Sequence, residues 1–302
     1  MRVVQSSKAK TYDANPEVVN TLDRISEDML REMVKTIAIP RHYTAERDAN
    51  RRVAEWIEEQ LRSFGYQVER QGEYRNLMTV PACSYRAVVL VGAHYDSVPK
   101  TPGADDNASA VAAMLGCAKA VAECGDDLPV CFVAFNCEED GLLGSTDFVE
   151  SVVASGKLEV REAHVLEMVG YCDKRPGSQS LPQGLPIKLA RDRGDFLGIL
   201  GNKRSITLVD QSMSCAKTYL SDFPVLGLKI YFVLERFFPH LERSDHAPFW
   251  SHGTPALMWT DTSEFRNPHY HQRSDTPETL DYDFLCNVTK LLTAQVLTSA
   301  PS

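Results

Sequence analysis

The sequence predicts an α/β protein, a three-layer α/β/α sandwich with a mostly parallel central sheet. Three segments, "AVVLVGAH", "PVCFVAFN" and "AHVLEMVGY", are predominantly apolar, which is typical of strands covered on both faces. An alanine-rich segment with a helical pattern, "ASAVAAMLGCAKAVAE", separates the first two. This alternation of strand and helix indicates a sheet with right-handed crossover connections.

Two amphipathic helices are predicted before this core. Asn15 and Pro16 provide an N-cap and a proline at the first helical position. Apolar residues then recur every three or four positions over residues 19–37, which predicts one helix. A second helix is predicted over residues 48–64, and "YQVERQ" and "NLMTVPA" are predicted to be short strands.

The chain is predicted to be a single domain over residues 16–302, preceded by a loose polar segment over residues 1–15. Residues 173–193 are rich in Gly, Pro, Ser and basic residues without periodicity, and we expect a surface loop that covers the functional site. Strand and helix patterns then return in "LGILGNKRSITLVDQSM", "VLGLKIYFVL" and "TPALMWTDT", before a terminal helix in "LDYDFLCNVTKLLTAQVL".

The composition argues against several classes of protein. The formal charge of -9, from 41 acidic and 32 basic residues with no Lys/Arg block, gives no electrostatic basis for binding nucleic acid or an anionic membrane. No signal-peptide pattern and no apolar run of bilayer length is seen, so a cytoplasmic location is predicted. The eight cysteines form no C-x-x-C pair, which argues against a thiolate zinc site and a disulfide framework.

Polar side chains follow several predicted strands, at the point where each strand ends. Because ligands bind beyond the carboxyl ends of parallel strands, we expect these side chains to converge. No Lys or Arg follows the strands, so several buried carboxylates would require cations beside them. The residues concerned are His94, Asp96, Asp105, Asp106, Glu138, Glu139, Glu167 and His271.

This set of donors suits a pair of metal ions. Imidazole and carboxylate together favour zinc, with manganese or cobalt as alternatives, and five residues can hold two ions roughly 3.5 Å apart. Asp96 follows His94 by two residues on an extended segment, so it can accept the ring N–H and fix the tautomer. Of the adjacent Glu138 and Glu139, one can bind metal while the other acts as general base.

Five motifs occur in the order found in metallopeptidase family twenty-eight: "GAHYDSV", "PGADDNASAVA", "FNCEEDGLLGS", "RSDHAPFW" and "NPHYHQRSDTPETLD". The chain resembles this co-catalytic di-zinc family over about residues 41–285. The family includes bacterial aminopeptidases and glutamate carboxypeptidases, with glutaminyl cyclases as a divergent branch. The resemblance implies the phosphorylase/hydrolase-like fold of zinc exopeptidases.

The resemblance also implies a role for each site residue. Glu138 would be the base that activates the metal-bridging hydroxide, which is the nucleophile. His246 or Tyr270 would help to hold the developing oxyanion. The metal ligands would be His94 and Glu167 for one ion, Glu139 and His271 for the other, and Asp106 as the bridge.

Some of these assignments have alternatives. Glu167 stands where the best-known members have aspartate, and it could instead pair with a basic residue. Asp96 and Asp105 could cap turns. The resemblance further implies that the peptide bond between Asp106 and Asn107 is cis.

The predicted function is a di-zinc metallo-exopeptidase, an aminopeptidase that removes N-terminal residues from peptides. A glutaminyl cyclase-like acyltransferase, a carboxypeptidase or another amide hydrolase is the alternative enzyme, and a non-catalytic binding domain is the alternative of another class. Such a domain is expected to have lost ligands, whereas all five are present in type. The predicted partner is a peptide or small amide; side-chain preference and oligomeric state are left open.

Overall fold

The structure is a computed structural model that describes residues 1–81, 87–124, 128–189 and 191–299. Cys83, one of the eight cysteines, lies outside the described residues. The strands are β1 (Arg2–Gln5), β2 (Val68–Gln71), β3 (Asn76–Thr79), β4 (Val88–His94), β5 (Val130–Phe135), β6 (Val160–Glu167), β7 (Leu197–Gly201), β8 (Val225–Lys229) and β9 (Ala256–Thr260). The α-helices are α1 (Pro16–Leu22), α2 (Glu27–Ile37), α3 (Arg47–Ser63), α4 (Ala110–Ala122), α5 (Leu143–Phe148), α6 (Ile206–Tyr219), α7 (His246–His252) and α8 (Tyr282–Ser299).

The nine strands form one sheet in the order β1-β8-β7-β9-β6-β4-β5-β3-β2. β4 pairs in parallel with β5 and β6, β6 with β9, and β7 with β8, whereas the other four pairings are antiparallel. The carboxyl ends of β4, β5, β6 and β9 therefore lie at the same edge of the sheet. The predicted α/β class with a parallel central region is confirmed.

Helices cover both faces of the sheet. Every residue of β4 is buried, and alternate side chains enter different cores because successive residues of a strand point to opposite faces. Val89 and Val91 join the core that α2, α4 and α8 complete, whereas Val88 and Leu90 join the core beside α5 and α7. The three layers follow from this double burial, which stabilises the fold by roughly 1.5–3 kcal/mol for each large apolar side chain.

The N-terminal helical region differs from the prediction of one helix over residues 19–37. The Asn15 side chain caps α1 by accepting the N–H of Glu17, as expected, but α1 ends at Leu22. Ser26 then begins α2, because its side chain accepts the N–H of Met29 at 3.3 Å. A serine oxygen that satisfies a free N–H starts a new helix despite the continuous apolar stripe. The second predicted helix is observed as α3.

The N-terminal segment also differs from the expectation, since residues 1–15 were predicted to be loose. β1 pairs antiparallel with β8, from Arg2 opposite Lys229 to Gln5 opposite Leu226. The segment thereby satisfies backbone groups of β8 that would otherwise form an open sheet edge. The expectation is wrong for residues 2–8, which form β1 and a short 3-10 helix, whereas residues 9–15 contain no helix or strand.

The segment predicted to be a surface loop, residues 173–193, contains no helix or strand over 173–189 and 191–193. An isolated bridge between Asp173 and Gly194 closes its base. Within the described ranges, no helix has both the length and the apolar character needed to cross a membrane.

Candidate metal centre

The ends of three neighbouring parallel strands bring the first group of donors together. β4 ends at His94, β6 ends at Glu167, and Glu138 follows the end of β5. His94 Nε2 lies 3.4 Å from Glu167 Oε2 and 3.9 Å from Glu138 Oε2. The three side chains are at most 10 % exposed, and one ligand atom from each lies within 4.8 Å of the others. This geometry is compatible with one metal ion.

A second group of donors lies beside the first. His271 Nε2 is 3.1 Å from Asp106 Oδ2 and 3.4 Å from Glu139 Oε2, and these three residues also offer ligand atoms within 4.8 Å of one another. The other oxygen of Asp106, Oδ1, lies 3.5 Å from His94 Nε2. The Asp106 carboxylate therefore lies between the two groups, as a bridging ligand would.

Backbone hydrogen bonds hold the loop that carries Asp106. The Asp275 carboxylate accepts the N–H of Asp105 at 2.9 Å and that of Asp106 at 3.1 Å. The Asn107 side chain donates to Leu166 O and accepts from Met168 N, which ties the loop to the end of β6. The peptide bond between Asp106 and Asn107 is cis, as the resemblance implied.

Asp96 contacts three members of the site. Its Oδ1 lies 3.3 Å from His94 Nδ1, beside the ring but without hydrogen-bond geometry. The same carboxylate accepts the N–H of Glu138 at 3.2 Å and that of Glu139 at 3.3 Å. Asp96 therefore holds the backbone of the loop after β5, a role that sequence spacing alone did not reveal.

Burial makes this concentration of carboxylates unfavourable without added positive charge. Burial raises the pKa of Glu138 well above its ordinary value, raises that of Glu139 to about 7, and raises that of Glu167. Burial alone would lower the pKa of His271, but the facing Asp106 and Glu139 carboxylates raise it to about 10. The positive charge favoured on the His271 ring offsets the negative charge of the buried carboxylates. A divalent cation bound among these side chains would supply that positive charge instead.

The donor set fits zinc by its chemistry. Within the described part of the chain, neither ring nitrogen of His94 has a hydrogen-bond partner although both are buried. An unpartnered buried imidazole surrounded by carboxylate oxygens is the arrangement that a nitrogen- and oxygen-ligated metal satisfies.

Arg41 is a buried cation near the site that sequence analysis missed. Its guanidinium donates to the carbonyl oxygens of Tyr95 at 2.6 Å and Gly103 at 3.0 Å, and to that of Pro102. Burial lowers the pKa of Arg41 to about 10, and the negative charge of Asp96 is the largest effect that raises it. No local pattern marks this arginine, because it reaches the site from the connection between α2 and α3.

His246, predicted as a candidate oxyanion group, does not have the geometry for that role. The ring is fully buried, its Nε2–H donates to Leu241 O at 2.8 Å, and its centroid lies 4.4 Å from that of Trp250. Burial lowers the pKa of His246 to about 4, so the ring is neutral and its only N–H is already used. The prediction for His246 is therefore corrected.

Tyr270 is the other oxyanion candidate, and it lies at the site. Its ring stacks on that of His271 with centroids 3.8 Å apart. Arg243 Nη2 donates to the Tyr270 hydroxyl oxygen at 2.8 Å. Because the arginine occupies an acceptor position, the hydroxyl hydrogen remains free to donate elsewhere.

A cavity of about 460 Å³ opens from the donor groups. Glu138, Glu139, Glu167 and His271 line one end together with Asp106. The rest is lined largely by apolar side chains from β7, β8, β9 and the loop at residues 179–189, which covers it. These side chains are Leu181, Leu185, Ile187, Leu189, Leu200, Leu226, Leu228, Met258 and Phe265.

Known proteins are similar to this chain in sequence and in fold. The model of peptidase family M28 matches residues 77–186 and 195–296. The uncharacterized protein YfbL of Escherichia coli K12 is 35% identical over 253 residues, 78% of this chain and 76% of YfbL. A protein of Trichophyton verrucosum named probable leucine aminopeptidase 1 is 26% identical over 93% of this chain and 75% of its own length.

A solved structure supports the same fold. The crystal structure of the Legionella pneumophila LapA aminopeptidase superposes with a TM-score of 0.75 at 20% identity, over 98% of this chain and 78% of that one. The α/β/α fold and the family model together define a metallopeptidase, which confirms the enzyme class predicted from the motifs. The chain belongs to peptidase family M28.

Proposed function

We propose that this enzyme is a di-zinc aminopeptidase that removes N-terminal residues from peptides. The observation that carries the proposal is the continuity of the site: two adjacent donor groups open into one cavity, and much of the rest of its lining is apolar. The carboxylates at one end suit the ammonium group of a free N-terminus, and the apolar walls suit the side chain of the N-terminal residue.

The chain would hold one zinc ion with His94 and Glu167 and the other with Glu139 and His271, while Asp106 bridges them. Manganese or cobalt suits the same donors. Bound zinc would polarise the scissile carbonyl and depress the pKa of a water toward about 7.

The remaining side chains move protons and hold charge. Glu138, buried beside His94, accepts the proton of the attacking water and passes it to the nitrogen of the leaving peptide. Asp96 lies beside the ring of His94, where it would keep the ring oriented. Tyr270 donates its free hydroxyl hydrogen to the oxygen that becomes negative as the carbonyl carbon is attacked.

The experiment that tests the proposal combines metal analysis with a substrate panel. We expect about two zinc ions per chain and hydrolysis of leucine anilide, with little hydrolysis of its N-acetylated form. Glu138→Gln is expected to keep the metal and lower kcat by about 10²–10⁴-fold, because the proton acceptor is removed. Glu150→Gln, an exposed glutamate, serves as the matched control.

Other results would point to the alternatives. One zinc with cyclisation of N-terminal glutamine would indicate a glutaminyl cyclase, and cleavage that requires a free carboxyl terminus would indicate a carboxypeptidase. A folded chain without metal or activity would indicate a binding domain. Full activity of Glu138→Gln would reject the assigned base.

A further inference from the structure

We propose that the cavity accepts amides whose N-terminal residue carries a long alkyl side chain, of roughly eight to ten carbons. The inference rests on the proposed function, since it places the scissile amide at the two donor groups. It concerns the part of the cavity that lies beyond the reach of a leucine side chain.

Neighbouring residues of four strands form a row that runs across the sheet from the donors. Glu167 of β6 lies opposite Thr260 of β9, which lies opposite Gly198 of β7 on its other side. Gly198 in turn lies opposite Leu226 of β8. Because neighbouring strands are about 4.8 Å apart, three spacings place Leu226 roughly 14 Å from Glu167. All four residues line the cavity, so the cavity extends that far from the donors.

A second row runs beside the first and also lines the cavity. On the neighbouring strands β9, β7, β8 and β1 it consists of Met258, Leu200, Leu228 and Val3, in that order. On β9, β7 and β8 its members are two residues from those of the first row, so both rows face the same side of the sheet. We call the part of the cavity lined by β7, β8 and β1 the trough. The residues of these strands that line it are all apolar: Val3, Gly198, Leu200, Leu226, Gly227 and Leu228.

Gly198 keeps the trough open toward the donors. It has no side chain to separate Thr260 from Leu226 in the first row. A Cβ atom at Gly198 would lie 3.3 Å from Thr260 O and 3.7 Å from Thr260 Cγ2. A larger side chain at this position would therefore fill the entrance of the trough.

The loop over the cavity covers the trough from the other side. Leu185 and Ile187 line the cavity, and both pack against the core that contains Leu228. Val3 and Leu200 pack against the same core. The trough is therefore enclosed by apolar side chains from the sheet and from the loop.

The size and chemistry of the trough suit an alkyl chain. A leucine side chain extends roughly 4 Å from its Cα, which is less than one strand spacing. A peptide segment would place N–H and C=O groups against apolar walls, while the strands already pair their own backbone groups with one another. An alkyl chain has no such groups and advances by roughly 1.3 Å per carbon, so eight to ten carbons span roughly 10–13 Å.

The test measures how kcat/KM depends on chain length, with the zinc-loaded full chain and substrates below the concentration at which they aggregate. The substrates are anilides of the even-numbered α-amino acids from α-aminobutanoic to α-aminotetradecanoic acid. Each methylene group that enters the trough is expected to raise kcat/KM by about threefold. The value for α-aminodecanoyl anilide should exceed that for α-aminohexanoyl anilide by about 50-fold or more, and the rise should stop once the side chain is longer than about ten carbons.

Two substitutions shorten the trough at different distances from the donors. Gly198→Val adds a side chain at its entrance, and Leu226→Phe fills it farther away. We expect each to lower the ratio of kcat/KM for α-aminodecanoyl anilide to that for α-aminobutanoyl anilide by about 10-fold or more. The preferred chain should be shorter in Gly198→Val than in Leu226→Phe. Leu220→Phe makes the same change just after α6, at a residue that packs against the other core, and is expected to keep the wild-type ratio.

The outcomes separate this inference from the proposed function. A flat or falling dependence on chain length would overturn the inference, as would a wild-type ratio in Leu226→Phe, and either result leaves the proposed function intact if leucine anilide is hydrolysed. Decanoyl anilide has the chain without the amine. Hydrolysis of decanoyl anilide as fast as that of α-aminodecanoyl anilide would support the role of the trough and reject the aminopeptidase assignment. A wild-type chain that hydrolyses none of these anilides overturns both proposals.

Discussion

At the scale of single residues, burial decides which protonation states the site can use. Glu138 and Glu139 are adjacent in sequence and enter different donor groups because consecutive side chains diverge. Asp96 holds the backbone of both by accepting their N–H groups. The chemistry assigned to the two glutamates therefore depends on a third carboxylate that need not touch metal or substrate.

His246 provides a test of burial that is independent of metal. Its pKa of about 4 in the folded protein lies below the ordinary value of 6.5, so the unfolded chain takes up the proton first as the pH falls. The stability contributed by the neutral ring is complete above about pH 6.5 and is lost between pH 6.5 and 4, by about 2 kcal/mol at pH 5. We expect His246→Gln to lose less free energy of unfolding than the wild type between pH 7 and pH 5.

Urea unfolding at the two pH values measures this difference. His252→Gln, an exposed position on the same helix, is the control and is expected to keep the wild-type pH dependence. An identical pH dependence in His246→Gln and the wild type would show that the ring is not buried in its neutral form.

At the scale of elements, the loop over the cavity has a regular pattern despite its irregular backbone. Leu185, Ile187 and Leu189 are half-buried and line the cavity, whereas Pro186 and Lys188 between them are exposed. The exposure of the side chains alternates residue by residue from Leu185 to Leu189. The loop therefore presents an apolar row to the cavity, whereas Pro186 and Lys188 face solvent.

This pattern predicts opposite results for two adjacent substitutions. Ile187→Asp places a charge in the apolar wall, so we expect kcat/KM for leucine anilide to fall by about 10-fold or more while that for alanine anilide changes little. Lys188→Asp introduces the same side chain on the exposed row and is expected to leave both values unchanged. Equal effects of the two substitutions on leucine anilide would contradict the assigned orientation of the loop.

At the scale of the whole molecule, the proposed metal centre would join separate parts of the fold. Its donors come from the ends of β4 and β6, from the connections after β4 and β5, and from the long connection after β9. Their carboxylates repel one another unless positive charge lies between them. Metal binding should therefore stabilise the folded chain as a unit, since the unfolded chain does not assemble the donors.

Removal of metal is expected to lower the thermal stability of the protein. At free zinc about 100 times the Kd, bound metal contributes about 2.7 kcal/mol, which corresponds to a Tm difference of roughly 5 °C for a chain of this size. Differential scanning calorimetry with and without chelator, and again after zinc is added back, measures this Tm difference. The Tm of Asp106→Asn is expected to fall less when chelator is added. A wild-type Tm that does not change with chelator would argue against the proposed centre.

Much of the fold was predictable because its signals are local. Strand burial, the Asn15 cap and the terminal helix follow from periodicity and capping over a few residues. The break between α1 and α2 was missed because a continuous apolar stripe concealed the capping serine, Ser26. The pairing of β1 was missed because a four-residue edge strand carries little pattern of its own.

By itself, the sequence determined which donor types are present and that they follow the ends of strands. Both can be read from short stretches of the chain, because side-chain chemistry and strand ends depend on neighbouring residues. Only the tertiary structure decided how those donors are held. The Ser244 contact with Glu167 spans 77 positions, Arg41 reaches the site from a remote connection, and the N–H of His246 faces Leu241. These contacts depend on how distant segments pack, and local periodicity does not carry that information.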